Sequence, residues 1–76
     1  MKPYLNLGGN SNVVAYETTE DSIHVVFKSG RWLNYLYDSS RPGKAVVDRM
    51  KALAEQGHGL NAFISSTVKS NYARKW

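Results

Sequence analysis

The 76-residue sequence predicts an α+β domain: a three-stranded antiparallel β-meander followed by two helices packed on one face, β-β-β-α-α. Three observations carry that reading. "SIHVVFK" (22–28) alternates Ile23, Val25 and Phe27 with His24, Val26 and Lys28, the period of a half-buried strand. Ser29-Gly30 is a two-residue hairpin signal, because glycine takes the positive φ that such turns require. "KAVVDRMKALAEQ" (44–56) sets Val46, Met50 and Leu53 at i, i+4 and i+7, so one helical stripe turns toward a core.

The elements follow in order. Residues 1–11 hold Pro3, Gly8, Gly9, Asn10 and Ser11 without periodicity and read as an irregular leader, with Tyr4, Leu5 and Leu7 available to tuck against the fold. "NVVAY" (12–16) is a β-branched run and the first strand. "ETTED" (17–21) makes a polar turn, "SIHVVFK" is the second strand and "RWLNYLY" (31–37) the return strand. "DSSRPG" (38–43) breaks the sheet; Ser39 or Ser40 can cap a helix whose first turn contains Pro42. Gly57 can end that helix in the left-handed conformation. "LNAFISSTV" (60–68) repeats the apolar stripe with Leu60, Phe63, Ile64 and Val68, and "KSNYARKW" (69–76) is a basic, aromatic tail. The whole chain reads as one domain.

Composition bounds the function classes. A chain this short buries only about 60% of the surface its unfolded form exposes. It contains no cysteine, so no disulfide or thiolate metal site supplements the core, and a cytoplasmic location is expected. The N-terminus lacks the apolar segment of a signal peptide, and no apolar run has membrane-spanning length. The net charge is +4, and three of the six acids, Glu17, Glu20 and Asp21, cluster in one turn. The remainder is basic enough to attract nucleic acid or an acidic partner.

A two-residue turn would set Phe27 opposite Trp32 and Lys28 opposite Arg31, and cross-strand partners share a face. Ile23, Val25, Phe27, Trp32, Asn34 and Leu36 would then pack on the helices. His24, Val26, Lys28, Arg31, Leu33, Tyr35 and Tyr37 would form an open face, with Tyr35 and Tyr37 stacking on bases while Lys28 and Arg31 neutralise phosphates. A three-residue bulged turn would reverse the faces and bury Tyr35 and Tyr37.

These residues resemble the KTSC domain family, found at the C-terminus of some lysyl-tRNA synthetases and as stand-alone bacterial and phage proteins. "FKSG" (27–30) and "YLY" (35–37) are similar to the family's Phe-x-Ser-Gly turn and its Tyr-x-Tyr motif, and "SNVVAYE" (11–17) to its Ser-Asn-Ile segment. Gly57, Leu60, Asn61 and Ile64 fall at the spacing of its downstream motif. The resemblance spans 11–64; either the turn-to-tyrosine spacing is longer, with Tyr35 and Tyr37 as the pair, or Leu33 replaces the first tyrosine, and Glu55 and Gly59 stand in place of a serine and an aromatic residue. It implies RNA contact; Asn61, at a helix start after Gly57 and Gly59, is a second candidate ligand-contact residue, set against an Asn that caps or ties the interhelix turn.

Catalytic constellations are absent from the sequence. No nucleophile elbow, phosphate loop or zinc-ligand spacing is present, and His24 and His58 lie on different elements. The expectation is a non-enzymatic binding module without cofactor or metal, contacting RNA through Tyr35, Tyr37, Lys28 and Arg31, with Asn61, Arg74 and Lys75 as weaker contributors. The alternative class is a protein-interaction module acting on a host or partner protein, or a homodimer pairing through the open sheet face.

Overall fold

The structure, a computed structural model, describes residues 1–9 and 11–76. The α+β class and the antiparallel sheet are as the sequence predicts, but the sheet has five strands, not three. They are β1 (Lys2–Pro3), β2 (Val13–Thr18), β3 (Ser22–Phe27), β4 (Asn34–Asp38) and β5 (Arg74–Lys75), adjacent in chain order. The two additional strands come from the segments read as leader and tail. Each is two residues long, too short for any alternation to show in sequence. The helices are α1 (Lys44–Gln56) and α2 (Leu60–Phe63), the latter running on as a π-helical turn, Ile64–Val68. No helix of the described residues is long and apolar enough to cross a membrane.

One face of the sheet packs on the helices. Ile23, Val25, Tyr16 and Tyr37 from the strands meet Val47, Met50, Leu53 and Ala54 of α1 and Leu60, Ile64 and Val68 of the second helical segment. Burying a side chain of the Val, Ile or Met type contributes roughly 1.5–3 kcal/mol. The α1 stripe therefore centres on Val47 and Met50, while Val46 is only half-buried at its flank.

The hairpin register corrects the expected faces. Val26 pairs with Asn34, and the Phe27 N–H donates to the Leu33 carbonyl (2.8 Å), which leaves Lys28–Trp32 as a five-residue loop. Ser29 does not form a tight turn because Asn12 claims it. The Asn12 amide donates to the Ser29 carbonyl (3.1 Å), the Ser29 hydroxyl donates back to Asn12 Oδ1 (3.2 Å), and the Lys28 N–H donates to the Asn12 carbonyl (2.6 Å). Moving the register by one residue turns every side chain of β4 over. Tyr35 and Tyr37 consequently lie opposite Val25 and Ile23 on the helix side, and Tyr37 is 1% exposed. Trp32, expected in the core, sits on the loop and is 40% exposed. A bulge at Val14 keeps both Val13 and Tyr16 facing the core.

The start of α1 also departs from expectation. Neither Ser39 nor Ser40 caps it; Gly43, with φ 115°, occupies the N-cap position, and Pro42 lies outside the helix. Asp38 organises this turn instead. Its carboxylate accepts the Ser40 hydroxyl (2.8 Å) and the N–H groups of Ser40 and Arg41 (3.0 Å each), and these bonds, the Ser40 hydroxyl foremost, hold its pKa below the ordinary carboxylate range.

Gly57 closes α1 in the left-handed conformation, as the sequence predicts. The segment after β1 docks on this corner: the Leu7 N–H donates to the Gly57 carbonyl (2.7 Å), and the Leu60 N–H donates to the Tyr4 hydroxyl (3.2 Å). A Cβ at Gly57 would stand 2.7 Å from Leu5 Cβ, at a φ of 76°. Gly57→Ala should therefore lose more than the roughly 1–2 kcal/mol of left-handed backbone strain alone. Gly9→Ala, at φ 79° with open space around it, should lose only that strain. Urea unfolding of both variants measures the difference, and equal losses would show that Leu5 does not press on the corner.

Candidate functional site

Two cavities flank the helical layer. One, of about 240 Å³, lies between the N-terminal segment and α2, where Tyr4, Asn6, Ser11, His58 and Asn61 line it. The other, of about 270 Å³, opens between the Lys28–Trp32 loop and the end of the π-helical turn. Four aromatic residues, Phe27, Trp32, Tyr35 and Tyr37, line it together with the cations Arg31 and Lys69. Asn12 and Ser29 add polar groups at its wall. The second cavity combines flat apolar rings with positive charge, whereas among the described residues no Lys or Arg lines the first.

Each wall has a local cause. Asn12 ties the loop to β2 and so fixes where Arg31 and Trp32 stand. Tyr35 is wedged edge-to-face between Phe27 and Tyr72 (centroids 5.2 Å from each, at 87° and 80°) and lies nearly parallel to Tyr37 at 6.4 Å. Such contacts hold a ring in place. The exposed ring is Trp32, and it already gathers cations: the Arg31 guanidinium and the Lys75 ammonium each lie 5.7 Å from its centroid, and Lys75 also lies 5.2 Å from the Tyr72 ring. Cation–π contacts of this exposed kind contribute about 0.5–1 kcal/mol.

Lys69 reaches the cleft through an unusual backbone. Its N–H donates to the Ile64 carbonyl (2.6 Å), the i→i+5 bond of a π-helical turn. The Ser65 and Ser66 hydroxyls donate to the carbonyls four residues back, Asn61 (2.7 Å) and Ala62 (2.8 Å). Lys69 then takes φ 52° and ψ −122°, and the Asn71 N–H donates to the Val68 carbonyl (3.0 Å) to close a turn. That position in a type II′ turn is glycine's by preference, and a side chain there stores about 1–3 kcal/mol of strain.

The sequence-derived residues separate under this geometry. Tyr35, Tyr37 and Arg31 line the cleft, although on the helix side of the sheet and not on an open face. Lys75 stands at its rim over Trp32. Lys28 is exposed at the start of the loop and does not line the cleft. Asn61 lines the other cavity, half-buried, with its carbonyl accepting the Ser65 hydroxyl. Arg74 lies on the far side of the sheet, its guanidinium 4.8 Å from the Trp76 ring centroid. No family model, curated protein or solved structure matches the chain.

Sequence reasoning missed Lys69, Asn12 and Trp32 as cleft residues. Lys69 and Asn12 carried no local signal, since each acts through a contact far along the chain. Trp32 did carry one: a tryptophan directly after an arginine at a loop reads as readily for a surface ring as for a core ring. No group of three or more metal-ligating side chains converges among the described residues.

Burial, and then the neighbouring Tyr35 and Tyr72, raise the pKa of Tyr37 above the ordinary phenol value of 10.0. The folded chain thus resists ionising Tyr37 where the unfolded chain does not. Its contribution is intact below pH 10.0 and is lost as pH rises above that value. Tyr37→Phe should flatten the alkaline fall in stability relative to wild type, measured by urea midpoints on either side of pH 10; an unchanged slope would refute it. Lys69→Gly should raise stability by about 1 kcal/mol, strain relief being partly offset by the greater freedom of glycine in the unfolded chain. A loss of stability on thermal melting would show that the turn is unstrained.

Proposed function

We propose that the chain is a small, non-enzymatic binding module that takes single-stranded RNA in the aromatic and basic cleft. The observation that carries this reading is the convergence of four aromatic rings and two cations on one opening of about 270 Å³. A base stacks on the exposed Trp32 ring, while Arg31, Lys69 and Lys75 neutralise the flanking phosphates. Tyr35 supports the cleft wall and Tyr37 closes its floor, so neither acts as the free platform that the strand pattern predicts. Asn12 and Ser29 stand where a base edge could exchange hydrogen bonds. The likeness of "FKSG" and "YLY" to KTSC motifs points toward RNA as well, but the cleft supports the reading without it.

The competing reading is a protein-interaction module, with Trp32 and the equally exposed Leu33 as anchors for a host or partner protein. Salt separates the two. Three phosphate-neutralising cations on a single strand give a log–log salt slope of about −2, and removing one lowers it by about 0.7. A Trp76→Phe background leaves Trp32 as the sole tryptophan, so its fluorescence reports stacking directly.

Titration with single-stranded RNA should quench Trp32, and Trp32→Ala should weaken binding by about 1–3 kcal/mol, measured by anisotropy, without unfolding the chain. Lys69→Gly should bind more weakly and with the shallower slope while melting higher than wild type. Quenching that is absent even at low salt would remove the RNA reading and leave the protein partner.

A further inference from the structure

The helices cover one face of the sheet, and the other face has no covering element among the described residues. Among its outward side chains, two rows cross the four strands β2–β5, and Pro3 of β1 stands beside Ala15 at the end of the second. The first row is Glu17 (β2), His24 (β3), Leu36 (β4) and Arg74 (β5), each opposite the next in the strand register. The second is Ala15, Val26, Asn34 and Trp76, in which Asn34 and Trp76 exchange backbone hydrogen bonds of 3.0 and 2.9 Å. The face is held rigid from within. The His24 ring lies 5.0 Å from that of Trp76, His24 Nε2 and Asn34 Oδ1 share a hydrogen bond of 2.9 Å, and the Asn34 amide donates to the Trp76 carbonyl (3.3 Å).

We infer that this face pairs with the same face of a second copy of the chain, about a two-fold axis parallel to the strands and passing between β3 and β4. Such an axis keeps each row over itself and reverses its order, so that β2 faces the second copy's β5 and β3 faces its β4. The first row begins with an acid and ends with a cation; reversed, it sets Glu17 against the second copy's Arg74 at both ends. Within β2–β5 the second row runs from the smallest side chain to the largest; reversed, it sets Ala15 against the second copy's Trp76, with Pro3 of β1 flanking the contact. Charge and shape are thus self-complementary under one and the same operation, as an isologous interface requires. The side-chain positions support it. Trp76 is 44% exposed, and the Glu17 side chain is well exposed, 3.6 Å from the Met1 ammonium. Packed sheets stand about 10 Å apart with strands within about 30° of each other, a spacing that these side chains can span. Four strands make a patch at the small end of specific interfaces, so a dimer of micromolar affinity or weaker is expected.

The cleft opens on the helix side, so this inference stands apart from the RNA reading and assigns Arg74 a role away from the cleft. Sedimentation of the full chain from low to high micromolar concentration should show a monomer–dimer equilibrium. Glu17→Lys and Arg74→Glu should each weaken it on the order of tenfold by setting like charges together, and the double reversal should restore it. On dilution of the wild-type chain, amide resonances of Ala15, His24, Leu36 and Arg74 should shift while those of the Lys28–Trp32 loop stay still. A monomer at every concentration would overturn the pairing. So would a dimer that the single reversals leave intact, that the double reversal fails to restore, or whose dilution shifts fall outside this face.

Discussion

The ladder between β3 and β4 decides which side of the sheet each hairpin side chain serves. Val26 opposite Asn34 and Ile23 opposite Tyr37 place the tyrosine rings inside and Leu36 outside. The core, the cleft and the outer face all follow from that pairing. Tyr37 completes the packing against the helices, Tyr35 becomes a cleft wall, and the Lys28–Trp32 loop is left long enough to carry an exposed tryptophan. The three bonds between Asn12 and residues 28–29 hold the loop to this register, so one half-buried asparagine sets the geometry of several distant rings.

The cleft is built partly against local preference. A π-helical turn, two serine hydroxyls bonded back to helix carbonyls and a lysine in a glycine conformation follow one another between Asn61 and Lys69. Sequences agree with their fold at most positions and depart from it where something other than stability is served. Here the departures converge on the residue that brings a positive charge beside the aromatic rings.

The fold class, the three central strands, the left-handed glycine after α1 and most of the buried apolar residues of the helical segments were legible because each repeats with a period or sits at a punctuating residue, although the α1 stripe centres on Val47 and not on the expected Val46. The face assignment was not. Lys28 through Leu33 contain a plausible two-residue turn and an actual five-residue loop, and the choice between them rests on Asn12, 17 positions away from Ser29. The outer strands were illegible for the same reason: Lys2–Pro3 and Arg74–Lys75 are strands only by virtue of the neighbours they pair with. Of the expected contact residues, Tyr35, Tyr37 and Arg31 reach the cleft by geometry different from that which nominated them, whereas Lys28, Arg74 and Asn61 lie elsewhere because parity and helix position separate them from it.

The hydrogen bond between the Leu60 N–H and the Tyr4 hydroxyl spans 56 positions of the chain. Contacts of that separation form only after most of the chain entropy has been lost, and they slow folding relative to helical domains of similar size. The corner where Tyr4, Leu7 and Gly57 meet therefore joins the first residues of the chain to the turn between the two helical segments. The first seven residues act as a clasp that ties the N-terminal strand to the corner between the two helical segments.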